Sequence, residues 1–164
     1  MPSENAMKNR PVVSADGLAK LEQELNLYKT VKRKEVAEQI KQAIAFGDLS
    51  ENAEYDEAKN EQSRIEGHIS YLENIIRNAI VIDADDVSTE VVGVGSVVTV
   101  RDSKTGFESE YQIVGATEAD PLEMKISNES PVGDALMGQR KGQEITFAVP
   151  DGLRTLRIVN IRRA

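Results

Sequence analysis

The chain has 164 residues, 28 acidic against 20 basic, for a formal net charge of −8, enough for one ordinary domain or two small ones. That balance excludes phosphate binding by the surface as a whole and leaves only a local basic patch for nucleic acid. With no cysteine, no tryptophan and 4% aromatic residues, disulfides, thiol chemistry and cysteine metal sites are excluded, an aromatic-walled ligand pocket is disfavoured, and a cytoplasmic protein is expected.

Residues 1–12 read as a flexible leader. Met1 to Arg10 lacks the apolar core of a signal peptide, and no stretch approaches the roughly 18 apolar residues of a membrane span, so no membrane is expected as a partner. Ser14 is an N-cap candidate, with Gly17 at the third helical position instead of the glutamate of a capping box. From there to Phe46, Leu18, Leu21, Leu25, Tyr28, Val31, Val36, Ile40 and Ala43 recur in steps of three, four and five. They approximate one helix face, with a slip around Lys32. Gly47 permits a turn.

A second helix follows, with Ala58, Gln62, Ile65, Ile69, Leu72, Ile76 and Ala79 alternating steps of four and three as a heptad seam. Two such segments joined by a short turn pack antiparallel. Roughly 30 residues at about 1.5 Å each make a rod on the order of 45 Å long. The expected hairpin spans residues 13–82, with Val81 to Asp86 as helix end and linker.

Beyond it the periodicity changes. Val94–Val100, Glu110–Val114, Ile145–Val149 and Leu153–Ile161 read as strands punctuated by Gly and Pro, and Ser130 followed by Pro131 predicts a short helix to Met137. The fold class is α+β: an N-terminal antiparallel two-helix coiled coil, then a mostly antiparallel sheet with one short helix over residues 83–164.

The segment Gly47 to Glu57 joins the two helices. It holds five carboxylates (Asp48, Glu51, Glu54, Asp56 and Glu57) and no positive charge. Crowded carboxylates repel one another, so this composition is a poor stabiliser of a turn. Asp48 and Glu51 can point off the same end of the rod and share a hard divalent cation such as Mg2+. They are too few to fill its roughly six positions. Composition alone favours a plainer role, in which Asp48 or Ser50 caps the helix and Glu51 complements its dipole. The two roles can hold together.

Glu54, Asp56 and Glu57 extend the charge into the second helix, beside the polar Asn52 and Tyr55. Lys29, Lys32, Arg33, Lys34 and Lys41 on the first helix and Lys59 on the second form either a solvated face or a local phosphate-contacting stripe. His68, the sole histidine, has no second histidine at metal-ligand spacing and reads as a surface or seam residue. No P-loop, dinucleotide fingerprint or Ser/His/Asp arrangement is present.

Gly47-Asp48-Leu49-Ser50-Glu51-Asn52-Ala53-Glu54-Tyr55, at the turn of a helical hairpin, resembles the tip signature of the Gre family of bacterial transcript cleavage factors. The likeness extends to Gly17–Leu25, Arg64–Ile69, Gly95–Val100, Tyr111–Gly115 and Ile126–Gly138, covering the chain from about Val12 onward. It implies a C-terminal FKBP-like domain that docks on RNA polymerase, for which Ser130 and Pro131 are candidates. The coiled coil would enter the polymerase secondary channel, with Asp48 and Glu51 as the catalytic, metal-holding pair and Asn52, Glu54 and Tyr55 supporting the tip. Lys32, Arg33, Lys41 and Lys59 would form the basic patch facing RNA.

The resemblance further implies an accessory factor and not a free-standing enzyme. Mg2+ would be held in trans at the polymerase active site, with none bound stably by the free protein. The partners would be the polymerase and the nascent RNA 3′ end, and the free protein would be a monomer. A channel-binding inhibitor that does not stimulate cleavage is the alternative. Two departures stand out. Ile44, Ala45 and Phe46 lie where the family often has a basic residue, and Glu61 and Glu66 put acid where its more basic members carry a denser patch.

Overall fold

A serine starts the helical half. In the computed structural model, which describes residues 10–47 and 52–164, Ser14 Oγ accepts a hydrogen bond from the Gly17 amide at 2.9 Å. This is the expected N-cap. Helix α1 runs Ala15–Leu27 and α2 runs Arg33–Ala45. Between them Tyr28–Lys32 forms a π turn, with the Arg33 amide donating to the Tyr28 carbonyl five residues back.

This turn is the physical form of the slip around Lys32. Tyr28 and Val36 lie eight residues apart, which at about 100° per residue overshoots two helical turns by about 80°. A π turn absorbs one extra residue. Val36 returns to the inner face and is 3% exposed, whereas Val31, expected in the seam, is 41% exposed. Val31 is thus a correction to the sequence reading.

Helix α3, Ala53–Asn78, buries Ala58, Ile65, Ile69, Leu72 and Ile75. Ile75 replaces the expected Ile76, which is half-buried, and Ala79 falls beyond the helix. A heptad pattern specifies only the face turned to the partner helix, and the last turn of α3 leaves that seam. Val36, Ile65 and Ile69 form the hairpin core, with Leu25, Tyr28 and Ile40 packed on it.

The chain divides into two compact units, Leu18–Asn78 and the remainder. The second unit contains more than the expected 83–164. Strand β1, Val12–Ser14, pairs in parallel with β2, Ile80–Ile82, in the register Val13↔Val81, and Val13 is fully buried. These strands, read as leader edge and linker, are three residues long and too short to show a period.

The main sheet has the order β5-β4-β3-β7-β6, built from β3 (Ser96–Asp102), β4 (Glu108–Val114), β5 (Lys125–Ser127), β6 (Glu144–Val149) and β7 (Gly152–Arg163). β5 runs parallel to β4, so the sheet is mixed. The connection between them passes through short turns at Ala116–Glu118 and Pro121–Glu123, which brings the chain back in the same direction.

One face of the sheet carries Val98, Val100, Ile113, Leu156 and Ile158, each at most 1% exposed. Leu136 of α4 (Pro131–Leu136) packs into the same core. Ser130 caps this helix by accepting from the Gly133 amide at 3.1 Å, with proline in the first turn, as the sequence predicts.

At the far end of β3, Arg154 Nε donates to Asp102 Oδ2 at 2.9 Å, and the Lys104 and Thr105 amides donate to its Oδ1 at 2.8 and 3.1 Å. The Arg154 bond, then the two amides, hold the Asp102 carboxyl below its ordinary value. A carboxylate depressed in the folded state stabilises above its unfolded pKa, near pH 4, and that stability is lost as pH falls through the folded value. Asp102→Asn is therefore expected to lower Tm at neutral pH and to flatten the decline of Tm below about pH 4, read by thermal unfolding across pH.

Candidate functional site

Near the tip of the hairpin one side chain links the two helices. Asn52, just before α3, accepts from the Tyr55 amide through Oδ1 at 3.1 Å and donates through Nδ2 to the Ala43 carbonyl at 2.6 Å. A side-chain amide is both donor and acceptor. Here it satisfies an orphan N–H at the start of α3 and adds a donor to the Ala43 C=O at the end of α2. The α2 end is further closed by Phe46 and Gly47 amides donating to Ala43 and Ile44 carbonyls. Gly47 has φ +104°, a conformation that favours glycine.

Asp48 and Glu51, the candidate catalytic and metal-holding pair, lie outside the described residues. Among the described residues nearest them in the chain, Asn52 links the end of α2 to the start of α3. Glu54 is exposed and Tyr55 half-buried in the first turn of α3. With Asp56, Glu54 places negative charge at the helix N-terminus, where the dipole favours it.

Asn52→Ala removes a cap and a cross-helix bond, so a loss of about 1–2 kcal/mol is expected in denaturant unfolding. Asn52→Asp keeps the acceptor but cannot donate to Ala43, and should fall between Asn52→Ala and wild type.

The candidate basic patch is largely consumed by pairing. Arg33 forms a two-point bond to Glu66, Nε to Oε1 at 2.7 Å and Nη2 to Oε2 at 2.8 Å. That hydrogen bond raises the Arg33 pKa and lowers that of Glu66. Lys32 lies 3.6 Å from Glu35, and Lys59 donates to Gln62 at 2.9 Å. Lys41 is exposed. A cleft of about 590 Å3 runs between α2 and α3 toward the tip, with Glu54, Glu57 and Glu61 along one side. Among the described residues no group of three or more acidic or histidine side chains could hold a metal.

Comparison with known proteins decides the family. The N-terminal transcription elongation factor model of GreA and GreB matches residues 11–81, and the C-terminal GreA/GreB model matches residues 87–163. The chain belongs to the GreA/GreB family of transcription elongation factors. It is 56% identical over 158 residues to transcription elongation factor GreA of Alkaliphilus oremlandii, covering 96% of this chain and 99% of the relative. To GreA of Acetivibrio thermocellus it is 57% identical, with the same coverage. The crystal structure of GreA factor homolog 1 of Thermus thermophilus matches 94% of this chain and 99% of its own at 32% identity, with a TM-score of 0.43. The assignment rests on the sequence matches.

Within this GreA/GreB chain, Ser130 and Pro131 belong to the sheet unit and not to the hairpin. Ser130 Oγ is occupied twice, accepting from Gly133 and donating to the Ser127 carbonyl at 2.7 Å, while Pro131 is exposed. Toward the tip, Ile44, Ala45 and Phe46, where the resemblance leads one to expect a basic residue, are all exposed and apolar, Ile44 at 49% and Phe46 at 78%. No helix among the described residues is long and apolar enough to cross a membrane.

Sequence reasoning missed Glu118. Its carboxylate accepts from the Ser14 amide at 3.0 Å and from the Ser14 hydroxyl at 2.5 Å. It thereby does what the glutamate of a capping box would do three residues on. Gly17 occupies that third position, and a Cβ there would sit 2.4 Å from Glu118 Oε1. The missing glutamate comes from 104 residues away, and the only local hint is the glycine itself. His68 was read as a surface or seam residue; its Nε2 lies 2.7 Å from Glu24 Oε1 across the hairpin, and its ring centroid lies 4.5 Å from that of Tyr28.

Proposed function

We propose that this chain enters the secondary channel of bacterial RNA polymerase and stimulates hydrolysis of the backtracked transcript 3′ end, restarting arrested complexes. The observation that carries this reading is the sequence pair Asp48 and Glu51 between two helices that Asn52 ties together, in a chain of the GreA/GreB family. Two carboxylates are hard oxygen donors that suit Mg2+ and leave most of its positions to other ligands, so they fit an ion shared with a partner and not one owned by the free protein. When bound, such an ion activates water and stabilises charge on phosphoryl oxygens.

The chain's own residues deliver and orient. Asn52 ties the end of α2 to the start of α3. Glu54 and Tyr55 occupy the first turn of α3 behind it. Lys41 is left exposed for a phosphate contact, whereas Lys32, Arg33 and Lys59 hold intramolecular partners that RNA would have to displace. The sheet unit, with Pro131 exposed on it, serves as the polymerase-docking part. The protein is then an accessory factor acting as a monomer, and the bond cleaved is cleaved in the polymerase's active site.

The test is cleavage of labelled RNA in a stalled, backtracked elongation complex with wild type and with the Asp48 and Glu51 variants. Wild-type protein that shortens the transcript, and variants that bind polymerase without doing so, support the reading. Wild type that only slows nucleotide addition identifies a channel-binding inhibitor instead.

A further inference from the structure

The π turn at Tyr28–Lys32 lies within the first arm of the hairpin, whereas α3 is unbroken from Ala53 to Asn78. It is the place where one residue more than the seam needs is stored. Removing one residue between Tyr28 and Val36 would leave them seven apart, and the steps from Leu21 would then read four, three, seven, four, three, a regular heptad register.

The extra residue is costly where it sits. Val31 and Leu27 beside it are 41% and 45% exposed, so apolar surface is left in water. The local α-helical bonding is interrupted, and Thr30 Oγ1 donates to the Asn26 carbonyl at 2.7 Å. Cross-helix contacts hold the first two residues of the turn and the residue just after it. Toward the base His68 meets Glu24 at 2.7 Å and the Tyr28 ring, and Lys29 pairs with Glu73. Toward the tip Arg33 forms its two-point bond to Glu66. Residues 30–32, between these clasps, leave Val31 exposed and lie where i→i+5 bonds replace the α-helical ones, and such a stretch is where a helix opens at lowest cost.

We propose that Tyr28–Lys32 is a built-in yielding point of the first arm. It opens locally while α3 remains the continuous spine, and so lets the tip-ward segment Arg33–Ala45 adjust the end of the turn at Ala43 and Gly47. Its consequence for activity rests on the function proposed above; its consequence for local opening does not.

Deletion of Val31 is the decisive variant, with Val31→Ala as the control that keeps the extra residue and trims only exposed methyls. For the deletion the expected results are a Tm raised by about 2–4 °C, slower amide hydrogen exchange across residues 28–33, and severalfold weaker stimulation of cleavage with polymerase affinity unchanged. Val31→Ala should match wild type in exchange and cleavage.

A deletion variant with unchanged exchange overturns the proposal, as does one with full cleavage activity. Loss of helicity by circular dichroism also overturns it, since the extra residue would then serve folding. If wild type itself fails to stimulate cleavage, the functional reading falls while the exchange measurement still decides the yielding point.

Discussion

Replacing Asp48 by Asn, or Glu51 by Gln, is expected to reduce stimulated transcript cleavage by on the order of 100-fold while leaving polymerase affinity and Tm near wild type. The isosteric amides are the informative choice. Asn caps a helix about as well as Asp, so Asp48→Asn preserves any capping role and removes only the charge. If Glu51 merely complements the α3 dipole, Glu51→Gln costs no more than about 1 kcal/mol of stability and leaves cleavage intact. Loss of cleavage at constant stability therefore separates metal holding from capping. A second readout is the Mg2+ dependence of cleavage, which should shift to concentrations on the order of 10- to 100-fold higher if a carboxylate contributing to the ion has gone. Unchanged cleavage and unchanged Mg2+ dependence in both variants would remove the tip from the mechanism.

The largest stability effect is expected from Gly115→Ala. A Cβ at Gly115 would lie 1.7 Å from the Val12 carbonyl oxygen and 2.9 Å from its carbon. Those are backbone atoms of β1, so no rotamer change relieves the collision; the strand must leave its place beside β2. A loss of about 3 kcal/mol or more is expected, a drop in Tm of about 10 °C in a chain of this size. Gly133→Ala meets the Ser127 carbonyl oxygen at 1.9 Å and should behave alike, with the added loss of the Ser130 cap. Gly67→Ala is the contrast. It lies inside α3 with nothing within 4 Å of its Cβ, so the higher helix propensity of alanine should raise stability by up to about 1 kcal/mol. Thermal unfolding of the three variants side by side checks all of this; a Gly115→Ala Tm within a degree or two of wild type would show that β1 is dispensable.

The helices were legible because their signals are local and repeated. Ser14, the run of apolar steps and the Ser130–Pro131 start of α4 each rest on neighbours within a few residues, and each is found where periodicity and capping chemistry place it. Even the irregular five-residue step from Val31 to Val36 was visible, although the pattern could not say that a π turn absorbs it by turning Val31 outward. The segment between the helices stands out in the sequence for a different reason: its carboxylates are dense and unbalanced by positive charge between two helical patterns.

What stayed hidden depends on contacts between residues far apart in the chain. Strands β1, β2 and β5 are three residues long, shorter than two periods of alternation. The parallel course of β5 follows from how its connection folds back. Glu118 completes the cap of α1 from 104 residues away. The expected basic stripe is likewise a matter of what stands opposite: Arg33 faces Glu66 on the other helix, so a residue type that suits phosphate is engaged at home. The sequence by itself determined the hairpin and the α+β class, because each follows from spacing along the chain. Only the tertiary structure decided which strands close the sheet unit, which of the described cations are engaged by partners and which glycines must lack a side chain, because those outcomes depend on atoms that meet only after the chain has folded.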